Sequence, residues 1–409
     1  MAQSDPIIRG PWPAGINNRV SEKGMPTGTL RDAINFDSGP DGILSLRAGY
    51  SQSSAASSIR GALSMGSQIL FADGETLRCF DADTNSTTDL AAIAGSGRFA
   101  GAVLNEELFF CTENACMRYK AGVLRSWGVP TATQQPVPSI GAGGLIAGQY
   151  KCAVTFLNAM GEEGGTTQPV LMTVGGGASM TFALPDPPVG MTVRLYVGPA
   201  SSSELYLQFE GTGSYTCASV DVTTARLETA FMREPVPGDF ICQHNGVLLI
   251  ADGNILWMTD PLRPHLRDQA NRFFQYAAPI DGVESIDLGV LVLADETYRL
   301  IGVETVEVAQ MSILGYGGVR GTLCKFDGPS QQPGEIAAWM TQYGIARTDG
   351  QGGVVLVSAT NFLPELSSHG SSGLVEHNGN QLLVTTLYRA PSSNPLRSAD
   401  YFEAEILTP

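Results

Sequence analysis

Few residues in this chain are equipped for chemistry, and their spacing argues against most of it. The histidines are His244, His265, His369 and His377, each in a polar, turn-like stretch, which predicts surface positions rather than bases or ligands. Cys111 and Cys116 stand close together. No second pair and no nearby histidine completes a zinc-ligand set around them. Asp73, Asp252 and Asp295 could be taken for the paired carboxylates of glycoside hydrolysis. All three, however, sit between short apolar runs, where a turn needs an Asp regardless of catalysis. There is no His-Glu-x-x-His helix, no phosphate-cradling Gly-x-x-x-x-Gly-Lys-Ser/Thr loop, no Gly-x-Ser-x-Gly elbow and no Ser-x-Asp-x-Gly-x-Thr-Trp box. The glycines of "GVRGTLCKFDGP" and "GAGGLIAGQ" follow no strand-to-helix pattern. These residues predict a protein that is not an enzyme, with no catalytic residue, cofactor, metal or small-molecule substrate.

The elements that would position such residues are β-hairpins. In "GVLLIADGNILWMTDPLRPH" (246–265) two apolar runs flank Asp252-Gly253, and Pro261 stops the second. "ILFADGETLRCF" (69–80) repeats the pattern around Asp73-Gly74, and "LVLADETYRLIG" (291–302) repeats it around Asp295. Weaker copies are "LFFCTENACMRY" (108–119), "AAWMTQYGIART" (337–348) and "QLLVTTLYRA" (381–390). Consecutive copies lie roughly 40–46 residues apart, the period of a four-stranded propeller blade. Motif and spacing both repeat, which favours a propeller over a string of unrelated β-domains. The fold class read from the sequence is therefore all-β: a six-bladed β-propeller, its ring closed by "GILSLRAGY" (42–50) and "YFEAEI" (401–406). The only stretch with any helical character is "DPLRPHLRDQANRFF", which its prolines keep short.

One interval is too long. From Phe109 to Leu249 is about 140 residues, roughly a hundred more than one blade needs. The excess follows a Pro/Gly/Gln-rich linker (125–144) and contains alternating strands such as "GQYKCAVTF", ending near "REPVPGD" (233–239). Several short strands in so small a span predict a β-sandwich of the fibronectin type III kind, inserted between the second and third blades. The domain reading is 1–135 for the N-terminal segment and first blades, 136–235 for a separable inserted sandwich, and 236–409 for the remaining blades.

Composition limits the partners. The chain of 409 residues carries 40 acidic and 24 basic side chains, a net charge of −16. A clamp on nucleic acid needs clustered Lys and Arg, so tight DNA binding is not expected. Acidity serves solubility, and it also suits a wall along which a phosphate backbone slides. The seven cysteines are scattered, mostly in apolar runs where free Cys acts as a small hydrophobe, and read as reduced thiols of a cytoplasmically assembled protein. The opening "MAQSDPIIRG" lacks the basic start and apolar run of a secretory signal.

The N-terminal segment adds a resemblance. A Gly-hydrophobic-Asn phrase (Gly15-Ile16-Asn17) leads to "LRDAIN" (30–35, ending at Asn35) and then to "LSLRAG" (44–49, with Arg47 and Gly49). In that order the phrases resemble the opening of tail proteins of double-stranded DNA bacteriophages. "ILWMTDPLRPHLRDQANRFFQY" followed by "IDGVESIDLGVLVLADETYRLIG" is similar to their later part. The resemblance is greatest to the tail nozzle, or packaged-DNA stabilisation, proteins of short-tailed phages, and it covers most of the chain. It implies a β-propeller subunit in a homo-oligomeric, hexameric ring beneath the portal and adaptor. The ring closes the DNA channel and opens on ejection, in contact with tail fibres or spikes and transiently with the genome. It implies a place in the virion tail after assembly in the host cytoplasm. A distal-tail or baseplate component of a long-tailed phage, and a tail-associated glycan hydrolase, are the alternatives.

Overall fold

The computed structural model describes residues 11–33, 36–38, 42–46, 54–328, 334–364, 366–377 and 380–388. The molecule is all-β: apart from a single 3-10 turn at Glu22–Gly24, every regular element among the described residues is a strand. The chain divides into two compact units, one of residues 56–277 with 302–308, the other of 1–55, 278–301 and 309–409.

The first unit holds three blades and the sandwich. Blade 1 is a meander of Ile59–Met65, Gln68–Asp73, Thr76–Asp81 and Ser86–Ala92. Blade 2 follows with Ala100–Leu104, Glu107–Cys111, Cys116–Lys120 and Val123–Ser126. Blade 3 is Phe240–His244, Val247–Asp252, Ile255–Asp260 and Arg263–Asp268, widened by Phe273–Gln275 and Met232–Arg233. A four-stranded sheet cannot bury both faces alone, and the strand period of two lets one strand serve two neighbours. In blade 2, Leu108 and Phe110 pack toward Leu70 and Leu77 of blade 1, while Phe109 and Cys111 pack toward Leu248 and Ile250 of blade 3. Phe110 meets Phe99 at 5.1 Å and Phe109 meets Trp127 at 5.3 Å between ring centroids. Each buried Phe contributes about 1.5–3 kcal/mol from area alone.

The excess interval is a seven-stranded sandwich. Its sheets run Ser139–Leu145, Ala178–Ala183, Ser214–Cys217 and Val170–Val174, Gly148–Asn158, Met191–Val197, Tyr206–Gly211. Tyr150, Cys152, Val154 and Phe156 turn inward from the long strand as their alternation requires, meeting Met180, Phe182 and Cys217 of the other sheet. Met232–Arg233, inside the expected end of the insert, already pairs with Arg267 and Asp268 of blade 3.

The second unit holds blade 4 (Gly282–Ile286, Gly289–Leu293, Thr297–Ile301, Ala309–Leu314) and blade 5 (Cys324–Asp327, Glu335–Thr341, Gly344–Thr348, Val354–Leu356). Leu291, Leu293, Ala337 and Trp339 form the core between them. The sixth hairpin copy differs. Its residues make one strand, Asn380–Tyr388, whose partner His369–His377 precedes it, so among the described residues blades 1, 2, 4 and 5 are four-stranded, blade 3 is six-stranded and the sixth copy belongs to a two-stranded sheet. The strand Leu44–Leu46 pairs with Phe36–Ser38, and "YFEAEI" lies outside the described residues. The segment with helical character is a strand, Arg263–Asp268, reached through a turn in which Leu262 adopts a positive φ of 66°. No helix among the described residues is long and apolar enough to cross a membrane.

Candidate functional site

The hairpin tips come first, since the sequence singles them out. Asp73 pairs with Thr76 and Asp252 with Ile255, leaving the two-residue loops Gly74-Glu75 and Gly253-Asn254. Both glycines adopt left-handed backbone, φ +57° and +59°, in open space, so conformation rather than crowding requires glycine there. Asp73 accepts backbone N–H bonds from Ser58 at 2.8 Å and Ser57 at 3.1 Å and pairs with Arg78 at 2.8 Å. The backbone donors, Ser58 first, hold its carboxyl below the usual range. Asp252 is exposed beside Asn254, whose side-chain amide donates to the Tyr276 carbonyl at 2.9 Å. Asp295 stands in a three-residue loop, since Leu293 pairs with Thr297, and it accepts from the Tyr298 hydroxyl at 2.9 Å. Burial first, then that bond, pushes the Tyr298 hydroxyl up to about 12.

In the second unit two tips line one cleft of about 610 Å³, which takes in Asp295 and Ala294 of blade 4, Gln342 of blade 5, Asp281 and Tyr316. Burial raises the pKa of Asp281, opposed by Arg320 at 3.3 Å. Near this cleft, Tyr343 of the blade 5 tip meets Tyr316 edge-on at 4.8 Å.

The N-terminal phrase is fixed to the exit of blade 5. Gly15 has φ +68°, its carbonyl accepts from Leu30 N–H at 2.8 Å, and Asn17 N–H donates to Leu30 at 2.7 Å. The Asn17 side chain is buried and caps Arg19 N–H at 3.1 Å. Asn18 makes a reciprocal pair with the Leu363 backbone at 2.9 and 2.8 Å, and Arg19 donates to the Tyr343 carbonyl at 2.8 Å. Asn35, Arg47 and Gly49 lie outside the described residues.

One buried polar cluster is not singled out by the sequence. Where the sandwich meets blades 2 and 3, Arg118 of blade 2 forks onto Glu162 of the sandwich at 2.8 and 2.5 Å, with its side chain only 4% exposed. Asn158 also donates to Glu162 at 2.7 Å. Burial opposes the charge of Glu162, but the bonds from Arg118 and Asn158 win and keep its pKa low. His265 of blade 3 lies 3.9 Å from Glu162 and 3.2 Å from the Glu163 carbonyl. Burial lowers its pKa, against the pull of Glu162. His265 and His244 are thus buried, correcting the expectation of four surface histidines, while His369 is exposed. Glu163 pairs in turn with Arg194 at 2.9 Å and takes the Thr155 hydroxyl at 2.5 Å. Trp127, fully buried, donates its indole N–H to the Pro264 carbonyl at 2.7 Å. The cluster opens on a cleft of about 580 Å³ lined by Glu162, Arg194, Tyr196, Arg226, Arg263 and His265. Its carboxylates and guanidiniums are largely paired with one another, an arrangement that fastens the sandwich to the two blades.

No protein-family model matches this chain, and no curated protein does. Among solved structures, the chain is similar to BBS1N crystallised in complex with ARL6DN and soaked with lead, at 10% identity over 83% of this chain and 94% of that one, TM-score 0.30. It is similar to apo AztD from Citrobacter koseri at 8% identity over 75% and 74%, TM-score 0.31. It is similar to the N-terminal domain of Nup159 at 8% identity over 80% and 73%, TM-score 0.27. Likeness at this distance says nothing of activity or partners.

Proposed function

We propose that this chain is a virion structural protein of a double-stranded DNA bacteriophage, a tail nozzle subunit that acts by assembly rather than catalysis. The observation that carries the reading is the order of the N-terminal phrases, from Gly15-Ile16-Asn17 through Asn35 to Arg47 and Gly49, ahead of blade-type repeats. Asn18, directly after the first of those phrases, is bonded to Leu363 beyond the last strand of blade 5, which suits a segment belonging to the body of a subunit. In this role a hexameric ring sits below the portal and adaptor, carries tail fibres or spikes, closes the channel on packaged DNA and opens on ejection. Six chains at −16 each give a ring about −96, a wall that repels phosphates and lets a duplex slide. Retention then falls to loops, with hairpin tips such as Asp252-Gly253 and Asp295 as the candidates for a steric gate.

Mass spectrometry of purified particles, followed by cryo-electron microscopy of the tail, tests the reading. A six-fold ring of this chain beneath the adaptor is expected. A position at the distal end of a long tail would replace the nozzle reading with the baseplate one, and absence from particles would refute both.

A further inference from the structure

Cys111 and Cys116 are direct cross-strand partners at the tip of blade 2, with their sulfurs 3.0 Å apart. The inner loop is closed by Thr112 N–H donating to the Ala115 carbonyl at 2.9 Å. Hydrogen-bonded and non-hydrogen-bonded pairs alternate in an antiparallel ladder, so the next pair outward, Cys111–Cys116, is of the non-hydrogen-bonded type. There the Cα atoms lie about 4.5 Å apart, at the near edge of the span of about 4.4–6.8 Å that a disulfide bridges. Cys116 is half-buried, whereas Cys111 beside it is fully buried. Blade 3 contributes Arg267, whose buried guanidinium has one nitrogen, Nη1, without a hydrogen-bond partner.

We infer that Cys111 and Cys116 are a dithiol site that closes to a reversible disulfide when the protein meets a small-molecule disulfide. The Cys116 thiolate attacks one sulfur of the oxidant and expels the first thiolate. Cys111 loses its proton to that leaving group and attacks the Cys116 sulfur of the mixed disulfide, expelling the second thiolate, which is protonated from solvent. Two protein thiols are oxidised to one disulfide, and one small disulfide is reduced to two thiols. The bond to Cys111 and burial push the Cys116 thiol pKa up, so thiolate is scarce and closure is slow; the Arg267 charge works in the opposite direction.

The staple sits where three blades meet. Glu113, inside the closed loop, accepts Ser96 and Gly97 N–H at 2.7 and 2.9 Å, holding the connection from blade 1. The Cys111 thiol reaches the Val236 carbonyl, on the way into blade 3, at 3.7 Å. Oxidation therefore ties the tip that both connections use, and stability rises.

The test uses the full-length wild-type protein, equilibrated with glutathione disulfide at mildly alkaline pH and then alkylated. Both cysteines fall in one tryptic peptide, residues 99–118. That peptide is expected to lose two hydrogen atoms in mass and to refuse alkylation. Cleavage after Glu113 is expected to leave its two pieces joined until dithiothreitol separates them. The thermal midpoint is expected to rise by a few degrees and to fall back on reduction. Cys116→Ser is expected to abolish the product, while Cys324→Ser leaves it intact. A peptide that still takes two alkyl groups, a glutathione adduct that persists at Cys116, or a bond formed instead between Cys152 and Cys217 would overturn the site. A midpoint that falls on oxidation would overturn the staple.

Discussion

Arg118→Met is the most informative single perturbation, because it leaves the backbone of blade 2 intact and removes one half of the joint to the sandwich. Arg118 is 4% exposed and its partner Glu162 is 20% exposed. Removing one member of a buried ion pair costs about 3–5 kcal/mol, chiefly because the survivor is left charged without a partner. Glu162 keeps Asn158 as a donor and some contact with water, so the cost falls at or just below the lower edge of that range, about 2–3 kcal/mol. The unit of residues 56–277 is of a size at which 1 kcal/mol moves the midpoint by roughly 2–4 °C, which gives a fall of about 4–12 °C. Differential scanning fluorimetry measures the fall. Hydrogen exchange across 158–164 places it, since the loop holding Glu162 should lose protection before the blade strands do. Adding Glu162→Gln should recover part of the loss, with a coupling of about 1–3 kcal/mol in the double-mutant cycle. Should Arg118→Met stay within about 0.5 kcal/mol of wild type, or should the two substitutions simply add, the pair does not hold the joint and the reasoning fails.

Acid should loosen the same joint. Burial keeps the folded-state pKa of His265 below its ordinary value near 6.5, so the unfolded chain takes the proton first and stability falls as pH drops through about 6.5 toward the folded pKa. The low pKa of Glu162 adds a second loss that starts below about pH 4.3, where the unfolded carboxyl begins to protonate. Midpoints scanned from pH 8 to about 2.5 should show both steps, and His265→Gln should flatten only the upper one; an unchanged upper step would exclude His265 as its source. Gly165→Ala should be severe, because the new Cβ would stand 1.8 Å from the Met232 carbonyl oxygen, whereas Gly175→Ala meets nothing within 4 Å and should be neutral by the same melt. Equal midpoints for the two variants would mean that the backbone crossing at 165 and 232 is not rigid. Fluorescence anisotropy with a labelled duplex should detect no binding at physiological salt, and submicromolar affinity there would contradict the reading of the acidity.

What was legible in the sequence was local. Asp73-Gly74 and Asp252-Gly253 announce two-residue turns because glycine adopts that positive φ without steric cost, and the flanking alternation fixes which side chains face a neighbour. The sandwich was legible for the same reason, since the alternation of Tyr150, Cys152 and Val154 survives in the core. The sixth copy failed because "QLLVTTLYRA" has no turn residue at its centre: nothing in it breaks the strand Asn380–Tyr388. The strand at Arg263–Asp268 escaped notice for the opposite reason. Pro264 suggested a break, yet a proline is tolerated where a strand needs no N–H from it, and its carbonyl is free to take the Trp127 indole.

The joint was not legible because its partners lie far apart in sequence. Arg118 and Glu162 are 44 positions apart, and Trp127 and Pro264 are 137 apart. Neither "CMRYK" nor "MGEEGG" carries a local sign that its charge will be buried. The same contacts bear on how separable the insert is. Thr166 bridges to both Ala132 and Ala230, and the Glu234 carboxylate accepts from Thr131 N–H at 3.1 Å, so the two connecting strands are tied to each other where they leave the blades. The Arg118–Glu162 pair is a further attachment, made by a side chain of blade 2 rather than by the connecting strands. A module held only by its linkers would swing; one held at both places keeps a set angle to blades 2 and 3. Excising 136–235 therefore does more than remove a passenger. It takes Glu162 from Arg118 and leaves Glu107 at 3.6 Å and the Ser126 carbonyl at 3.2 Å as its partners, so the excised protein should fold better with Arg118→Met than without it. If both excised proteins melt alike, the sandwich is a passenger after all.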